Sequence, residues 1–150
     1  MELVENIPLD THAIANLIAD RKDLFLVWPL AKYPFDHDQW KGVLNPQTGN
    51  KPFLIHEGDR IIGHAALCVT EDPLVFSVSF LYLLPELRAQ GLGKKLMALL
   101  EAYARKRLRA KQLVLKARIY NPRALYCYAR CGFHEISRAG SSIRMSKTLH

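Results

Sequence analysis

The feature that most constrains the fold is a long apolar segment that lies between Pro73 and Pro85. Residues 74–84 are rich in Val, Leu and Phe and include no charged side chain. Because such a strand cannot keep one face in water, it predicts a central strand in a sheet covered by helices on both faces. With 150 residues, of which 49% are hydrophobic, the chain has the size of one globular domain, and we predict a single domain over residues 1–150.

Strands and helices alternate through the rest of the chain, which predicts an α/β or mixed sheet. Apolar alternation predicts further strands over residues 2–7, 53–56, 60–69, 112–118, 133–138 and 143–147. Capping residues and helical periodicity predict helices over residues 10–21, 36–44, 91–108 and 121–132. No repeat, linker or low-complexity segment divides these elements.

The segment over residues 83–96 runs from a strand through a glycine turn into a helix, which is typical of an anion-binding site. Gly91 and Gly93 let an anion approach the backbone, and the first N–H groups of the helix point outward with the positive end of its dipole. Three nearby side chains add positive charge: Arg88, Lys94 and Lys95. P-loop and Rossmann patterns do not fit, because each lacks a required glycine here.

Two motifs resemble the GNAT superfamily of acetyl-CoA-dependent N-acetyltransferases. The segment Arg88–Gly93 is similar to that family's (Arg/Gln)-x-x-Gly-x-(Gly/Ala) loop. Farther along the chain, the family's second cofactor-side motif is matched by Asn121, Ala124, Tyr128, Gly132 and Phe133. Each residue also has an ordinary structural explanation as a cap or core residue, but those explanations do not account for the joint occurrence of the two motifs. The resemblance covers about residues 50–150.

The resemblance implies a fold, a co-substrate and a set of binding residues. The implied fold is a mostly antiparallel sheet of six or seven strands, splayed between the fourth and fifth strands and flanked by about four helices. The co-substrate is acetyl-CoA, and no metal is implied. Backbone N–H groups of the glycine loop would hold the pyrophosphate, the end of the central strand would pair with the pantetheine arm, and Asn121 would touch that arm. The implied cofactor-binding residues are Leu81, Tyr82, Leu83, Arg88, Gln90, Gly91, Leu92, Gly93, Lys94, Lys95 and Asn121.

The same resemblance places a catalytic tyrosine at Tyr128, as the acid that protonates the leaving thiolate. We expect direct transfer in a ternary complex, because neither Cys127 nor Cys131 has a recognisable histidine partner motif. A backbone N–H near Leu83 is the candidate donor to the oxyanion. The central strand contains no carboxylate to act as general base, so the base stays unassigned, with four candidates: His64, Glu71, Asp72 or an ordered water.

The amine acceptor is the least constrained part of the reaction. An aromatic and acidic pocket for an ammonium group is one interpretation of residues 23–45, with Trp28, Tyr33, Asp36 and Trp40 as its candidate residues. A hydrophobic core beneath a capped helix is the other. Small primary amines and protein amines both fit, and the sequence does not rank them.

Charge and cysteine content suggest partners and location. Residues 1–75 carry 6 basic and 11 acidic side chains, whereas residues 76–150 carry 15 and 3. The basic half predicts an anionic partner, which is a phosphorylated cofactor or nucleic acid. A nucleic-acid-binding protein and a non-catalytic acyl-CoA-binding module are therefore the alternatives, although no common nucleic-acid motif is present.

Three sparse cysteines and the lack of a signal-peptide pattern or long apolar run predict a cytoplasmic protein without a membrane segment. A homodimer through the closing strands is a further expectation.

Overall fold

The fold is organised around one seven-stranded mixed sheet, which a computed structural model describes over all residues 1–150. The strands are β1 (Glu2–Glu5), β2 (Lys51–Glu57), β3 (Arg60–Val69), β4 (Val75–Leu83), β5 (Gln112–Arg118), β6 (His134–Ala139) and β7 (Ser142–Thr148). The helices are α1 (Thr11–Leu17), α2 (Arg21–Val27), α3 (His37–Val43), α4 (Leu92–Arg107) and α5 (Pro122–Arg130). The strand order is β1-β2-β3-β4-β5-β7-β6. The predicted mixed sheet with a central strand at residues 74–84 is confirmed.

The sheet opens between β4 and β5, its one parallel pair. These strands pair only at their first residues, from Val75 opposite Gln112 to Ser77 opposite Val114. Beyond Ser77, β4 continues to Leu83 without a strand partner on that side. The predicted splay is thus confirmed, and it leaves a gap between the two strands.

Each face of the sheet carries its own hydrophobic core. On the α4 face, a cluster of 19 buried apolar residues includes Leu96 and Leu100 of α4 and Leu113 of β5. On the α1–α3 face, a smaller cluster of nine includes Ile14 of α1 and Trp40 of α3. Helices therefore cover both faces, as the apolar central strand requires.

The first third of the chain contains one more helix than the sequence predicts. The helix predicted over residues 10–21 ends at Leu17, and Asp20 then begins α2 by accepting a hydrogen bond from the N–H of Asp23 at 3.0 Å. This second aspartate cap starts a new helix because it satisfies a free N–H of the first turn. The total is five α-helices rather than about four. The predicted cap of α3 is confirmed, with Asp36 accepting from the N–H of Gln39 at 3.0 Å.

No helix has the length and apolar content that crossing a membrane would require.

Candidate active site

The gap between β4 and β5 contains two adjoining cavities of about 370 and 360 Å³. The first, here the glycine-loop cavity, extends toward Gly93 and Met97 of α4. The second, here the β5 cavity, extends along Leu115–Arg118. Residues from α2, β4 and α5 line both: Leu26, Val27, Leu81, Asn121, Ala124 and Tyr128. The two cavities therefore adjoin along these six residues, which include Leu81 of β4 and Tyr128 of α5.

The glycine loop has the backbone geometry of an anion site. Gly91 begins α4 with φ +76°, a left-handed conformation that favours glycine, and no side chain caps this end of the helix. The N–H groups of residues 92–94 have no acceptor within the helix, because the first turn of a helix has no preceding carbonyls. A Cβ on Gly93 would lie 3.4 Å from Sγ of Cys127, so the loop packs closely against α5.

Six of the predicted cofactor residues line the glycine-loop cavity: Leu81, Tyr82, Leu83, Arg88, Gly93 and Asn121. The other predicted ones lie in the glycine loop and the first turn of α4: Gln90, Gly91, Leu92, Lys94 and Lys95. Of these, Leu92 is half-buried and the rest are exposed. The structure therefore brings the predicted cofactor residues together at one end of the gap.

The side chain of Arg88 braces this end of the gap. Its Nε donates to the carbonyl of Leu83 at 3.0 Å, and its guanidinium lies 3.4 Å from Oδ2 of Asp23 and over the ring of Tyr82. The Tyr82 hydroxyl donates to the same Asp23 oxygen at 2.9 Å. Burial and the Asp23 carboxylate raise the pKa of Tyr82 to about 12, so this hydroxyl remains a donor. These contacts tie β4 to α2.

Tyr128 and Asn121 are held by α5. Asn121 caps the helix by accepting from the N–H of Ala124 at 3.3 Å, which leaves the rest of its side chain against both cavities. Tyr128 lies one turn beyond Ala124 on the same face of the helix and lines both cavities. Burial raises the pKa of Tyr128 to about 12, so its hydroxyl stays protonated at neutral pH.

A β-bulge reshapes β4 where the cavities meet. Ala66 pairs with Ser79 and His64 pairs with Tyr82, so Phe80 and Leu81 together lie opposite one residue of β3. Phe80 has φ +54°, which is unusual for a residue with a side chain. A bulge of this kind adds one residue to one strand and reverses the faces that later side chains point to. As a result, Val78 belongs to the core on the α4 face, whereas Tyr82 belongs to the core on the α1–α3 face.

None of the three side chains considered as general base lines either cavity. His64 is fully buried, and burial lowers its pKa to about 4. Glu71 and Asp72 lie in the turn between β3 and β4, at the end of β4 opposite the bulge. An ordered water is the candidate left from the sequence.

The residues predicted for the acceptor site are only partly brought together. Trp28 lines the β5 cavity. Trp40 is fully buried and stacks on Phe35, Asp36 caps α3, and Tyr33 lies against the Arg21 guanidinium. Most of this aromatic segment is therefore a core beneath a capped helix, which is the second interpretation given above.

The sequence missed four polar residues of the β5 cavity: Ser77 and Ser79 of β4, and Lys116 and Arg118 of β5. In the sequence these residues are spaced by two along each strand, which places each pair on one face of its strand but does not show that the two strands separate.

The described chain has no group of three or more His, Cys, Asp or Glu side chains arranged for a metal ion.

Sequence and structure comparisons identify the family. A family model described as Acetyltransferase (GNAT) family matches residues 14–133. The chain belongs to the GNAT acetyltransferase family. The match includes most of the first third, for which the motifs alone were not diagnostic. This GNAT acetyltransferase is an acetyl-CoA-dependent acyltransferase, and the family activity is transfer of an acetyl group to an amine.

Solved structures share the fold of this GNAT acetyltransferase over nearly its whole length. Spermidine N-acetyltransferase from Vibrio cholerae, in complex with CoA and spermine, has a TM-score of 0.79 at 18% identity and covers 98% of this chain and 94% of its own. N-acetyltransferase PseH from Campylobacter jejuni, in complex with acetyl coenzyme A, has a TM-score of 0.73 at 21% identity and covers 99% of each chain. Among curated protein sequences, none matches this chain.

Proposed function

We propose that this acetyltransferase moves the acetyl group of acetyl-CoA directly to a primary amine in a ternary complex. The observation that carries the proposal is the pair of adjoining cavities between β4 and β5, which share Leu81 and Tyr128 in their lining. Acetyl-CoA would enter along the glycine-loop cavity and the amine along the β5 cavity. The thioester and the amine would then meet at the junction, in the proximity that direct transfer requires.

The chain's own groups suit each part of acetyl-CoA. The free N–H groups at the start of α4, with Lys94 and Lys95 beside them, suit the pyrophosphate. The edge of β4 beyond Ser77 has no strand partner, so its backbone suits the amides of the pantetheine arm, as an added strand would. Asn121 lines both cavities and suits the pantetheine arm as a hydrogen-bonding side chain. Arg88 would act by holding β4 and α2 in place.

Tyr128 is the proposed acid. In the transfer, the amine nitrogen bonds to the thioester carbon, the carbon–sulfur bond breaks, and the leaving sulfur takes a proton from the Tyr128 hydroxyl. The proton lost by the amine passes to water. Because its pKa is about 12, Tyr128 is protonated throughout the neutral range and regains its proton readily after each transfer. The N–H of Leu81, in the bulge of β4, is the donor for the oxyanion.

The β5 cavity favours an amine that also carries a negative group, such as a carboxylate. Lys116 and Arg118 line this cavity, and no Asp or Glu does. A polyamine would place further positive charges against these two cations, whereas a carboxylate would pair with them. The same cations disfavour the ammonium form of the amine and so help to supply the neutral nucleophile without a carboxylate base. The likeness to a spermidine N-acetyltransferase therefore supports the fold, while the charge of this cavity points to a different acceptor.

Calorimetric titration with acetyl-CoA tests the cofactor part, with CoA and ATP as comparison ligands at two salt concentrations. We expect micromolar binding that discriminates against ATP. Failure to bind acetyl-CoA would overturn the proposal and favour a nucleic-acid-binding protein, whose affinity falls steeply with salt. The cluster for that alternative lies at the far end of α4, about 24 Å from the glycine loop at 1.5 Å per residue: Arg105, Lys106, Arg107, Arg109 and Lys111.

Replacing Tyr128 with Phe tests catalysis. We expect kcat to fall by about 100-fold or more, with the Kd for CoA unchanged, because only the proton donor is removed. Tyr126→Phe is the matched control, since Tyr126 is exposed on the same helix and bonded to Arg130. An unchanged rate in Tyr128→Phe would remove Tyr128 from the mechanism, and a wild-type protein that binds acetyl-CoA but acetylates no amine would be a non-catalytic acyl-CoA-binding module.

A pair of acceptors that differ only in a carboxylate tests the charge of the acceptor site, for example tyrosine against tyramine. We expect the amino acid to be preferred, and Arg118→Gln or Lys116→Gln to raise KM for it by about tenfold while leaving KM for tyramine within about twofold. Arg109→Gln, far from the cavities, should change neither value. Preference for tyramine or spermine would refute the anionic class. A cytoplasmic location and a homodimer stay predictions.

A further inference from the structure

His64 is the one histidine that is fully buried, and it makes a single hydrogen bond. Its Nδ1 donates to the carbonyl oxygen of Phe80 at 2.8 Å, while its Nε2 has no hydrogen-bond partner. The ring lies edge-on to that of Trp40, with 6.2 Å between centroids. The only polar contact of the His64 side chain is therefore with the bulge of β4.

The direction of this hydrogen bond fixes the peptide that follows Phe80. In a planar trans peptide, the carbonyl and the next N–H point in opposite directions. Since the Phe80 carbonyl points toward His64, the N–H of Leu81 points away from it. Ser79 and Tyr82 are the bulge-flanking residues that pair with β3, so Leu81 lies outside the β3 register. Its N–H is thus directed to the gap side of β4, where Leu81 lines both cavities.

We infer that His64 is a positioning residue, which holds the Phe80–Leu81 peptide so that the Leu81 N–H is aimed at the oxygen of the reacting thioester. The inference rests on the proposed function and adds to it the side chain that sets the oxyanion donor. His64 itself does not line the cavities and takes no proton in the reaction. It acts only through the carbonyl of Phe80.

The energetic cost of this arrangement supports a positional role. A buried ring nitrogen without a partner destabilises the folded state, as does a left-handed conformation at Phe80. An apolar side chain at position 64 would avoid the first cost, and a regular strand would avoid the second. Both unfavourable features belong to one arrangement, because the hydrogen bond from His64 to Phe80 stabilises the backbone conformation that presents the Leu81 N–H to the gap.

Three variants of His64 test the inference. His64→Phe keeps a ring but has no donor, and His64→Leu repeats this test with a side chain close to histidine in size. His64→Asn keeps an amide nitrogen at the same distance from the backbone as Nδ1. We expect Phe and Leu to lower kcat by about 10- to 100-fold, with KM for acetyl-CoA within about twofold, because this hydrogen bond strengthens as negative charge develops on the oxygen and contributes little to binding of the thioester itself. Asn should restore kcat to within about fivefold of the wild type.

Rates are normalised to the number of CoA-binding sites measured by calorimetry, so that loss of folded protein does not count as loss of catalysis. His134→Phe, on the exposed edge strand β6, is the matched control and should be unchanged. Wild-type turnover is established first, so failure of the proposed function is recognised before the variants are compared. Wild-type kcat in the Phe or Leu variant, or an Asn variant as slow as these, would overturn the inference.

A spectroscopic measurement reports the same contact without turnover. Acetyl-CoA labelled with ¹³C at the thioester carbonyl is bound to each protein in the absence of an amine. A hydrogen bond to the carbonyl oxygen moves its resonance downfield, so we expect this shift in the wild type and in His64→Asn and its loss in His64→Leu or His64→Phe. An identical carbonyl shift in the wild type and the variants without a donor would overturn the inference.

Discussion

The two faces of the sheet differ in what they bury. The core on the α4 face is a cluster of 19 buried apolar residues. The α1–α3 face buries nine apolar residues together with His64, and both His64 Nε2 and Trp40 Nε1 lack a hydrogen-bond partner. The larger core therefore stabilises the fold by apolar burial. The smaller core includes two unpartnered polar atoms that lower stability, and one of the side chains that carry them, His64, bonds to the bulge of β4.

Truncating Trp40 gives the largest effect expected on the smaller core. Trp40→Ala removes a fully buried ring, so we expect it to lower the free energy of unfolding by about 4 kcal/mol. Trp40→Phe keeps a ring and removes the unpartnered N–H, so it should cost about 1 kcal/mol. Urea unfolding measures both values. A Phe variant as unstable as the Ala variant would show that the indole N–H stabilises the folded state, which would contradict its description as an unpartnered polar group.

Acid should destabilise the protein through His64. Because the folded pKa is about 4 and the ordinary value is 6.5, the unfolded chain takes up a proton in this range that the folded chain does not. The contribution of His64 is complete above pH 6.5 and is lost as the pH falls toward 4, which lowers the free energy of unfolding by about 3 kcal/mol. Urea unfolding of the wild type and His64→Asn at several pH values checks this. Equal pH dependence in the two proteins would contradict it.

A methyl group at Gly63 should distort the bulge. A Cβ at this position would lie 2.5 Å from the carbonyl oxygen of Tyr82, which is backbone and cannot move aside freely. We expect Gly63→Ala to lower the free energy of unfolding by about 2 kcal/mol and to reduce kcat as well. Gly42→Ala is the control, since Gly42 lies within α3 with open space around it and should be neutral or stabilising. Wild-type stability in Gly63→Ala would show that the bulge yields easily.

The smallest effect concerns the cap of α2, the helix that walls both cavities. Asp20→Ala removes the acceptor for the N–H of Asp23, and we expect it to cost about 1 kcal/mol in thermal or urea unfolding. Asp20→Asn keeps a capping oxygen and should remain close to the wild type. If the Ala variant also raises KM for the amine, then α2 contributes to the acceptor site beyond its effect on stability. An unchanged unfolding free energy would mean that the cap is not significant.

Local features of the fold were predictable, and features that depend on distant contacts were not. The helix beginning at Gly91 and the cap at Asp36 were recognised because each depends on residues within one turn. One local feature was nevertheless placed wrongly: the first helix was predicted to end near Arg21, whereas it ends at Leu17 and α2 begins at Arg21 after the Asp20 cap. The aromatic segment was ambiguous because the sequence alone does not distinguish an aromatic residue of a binding site from one of the core. Trp28 lines a cavity, whereas Trp40 is fully buried.

The sequence by itself determined the family and the position of the glycine loop, because the residues of each motif lie near one another along the chain. Only the tertiary structure decided what faces the gap between β4 and β5. The bulge at Phe80 reverses the alternation of β4, so that Val78 and Tyr82 lie on opposite faces although two-residue spacing predicts the same face. Likewise, Ser79 and Lys116 line one cavity only because their strands separate. Such contacts join distant parts of the chain, and local spacing carries no information about them.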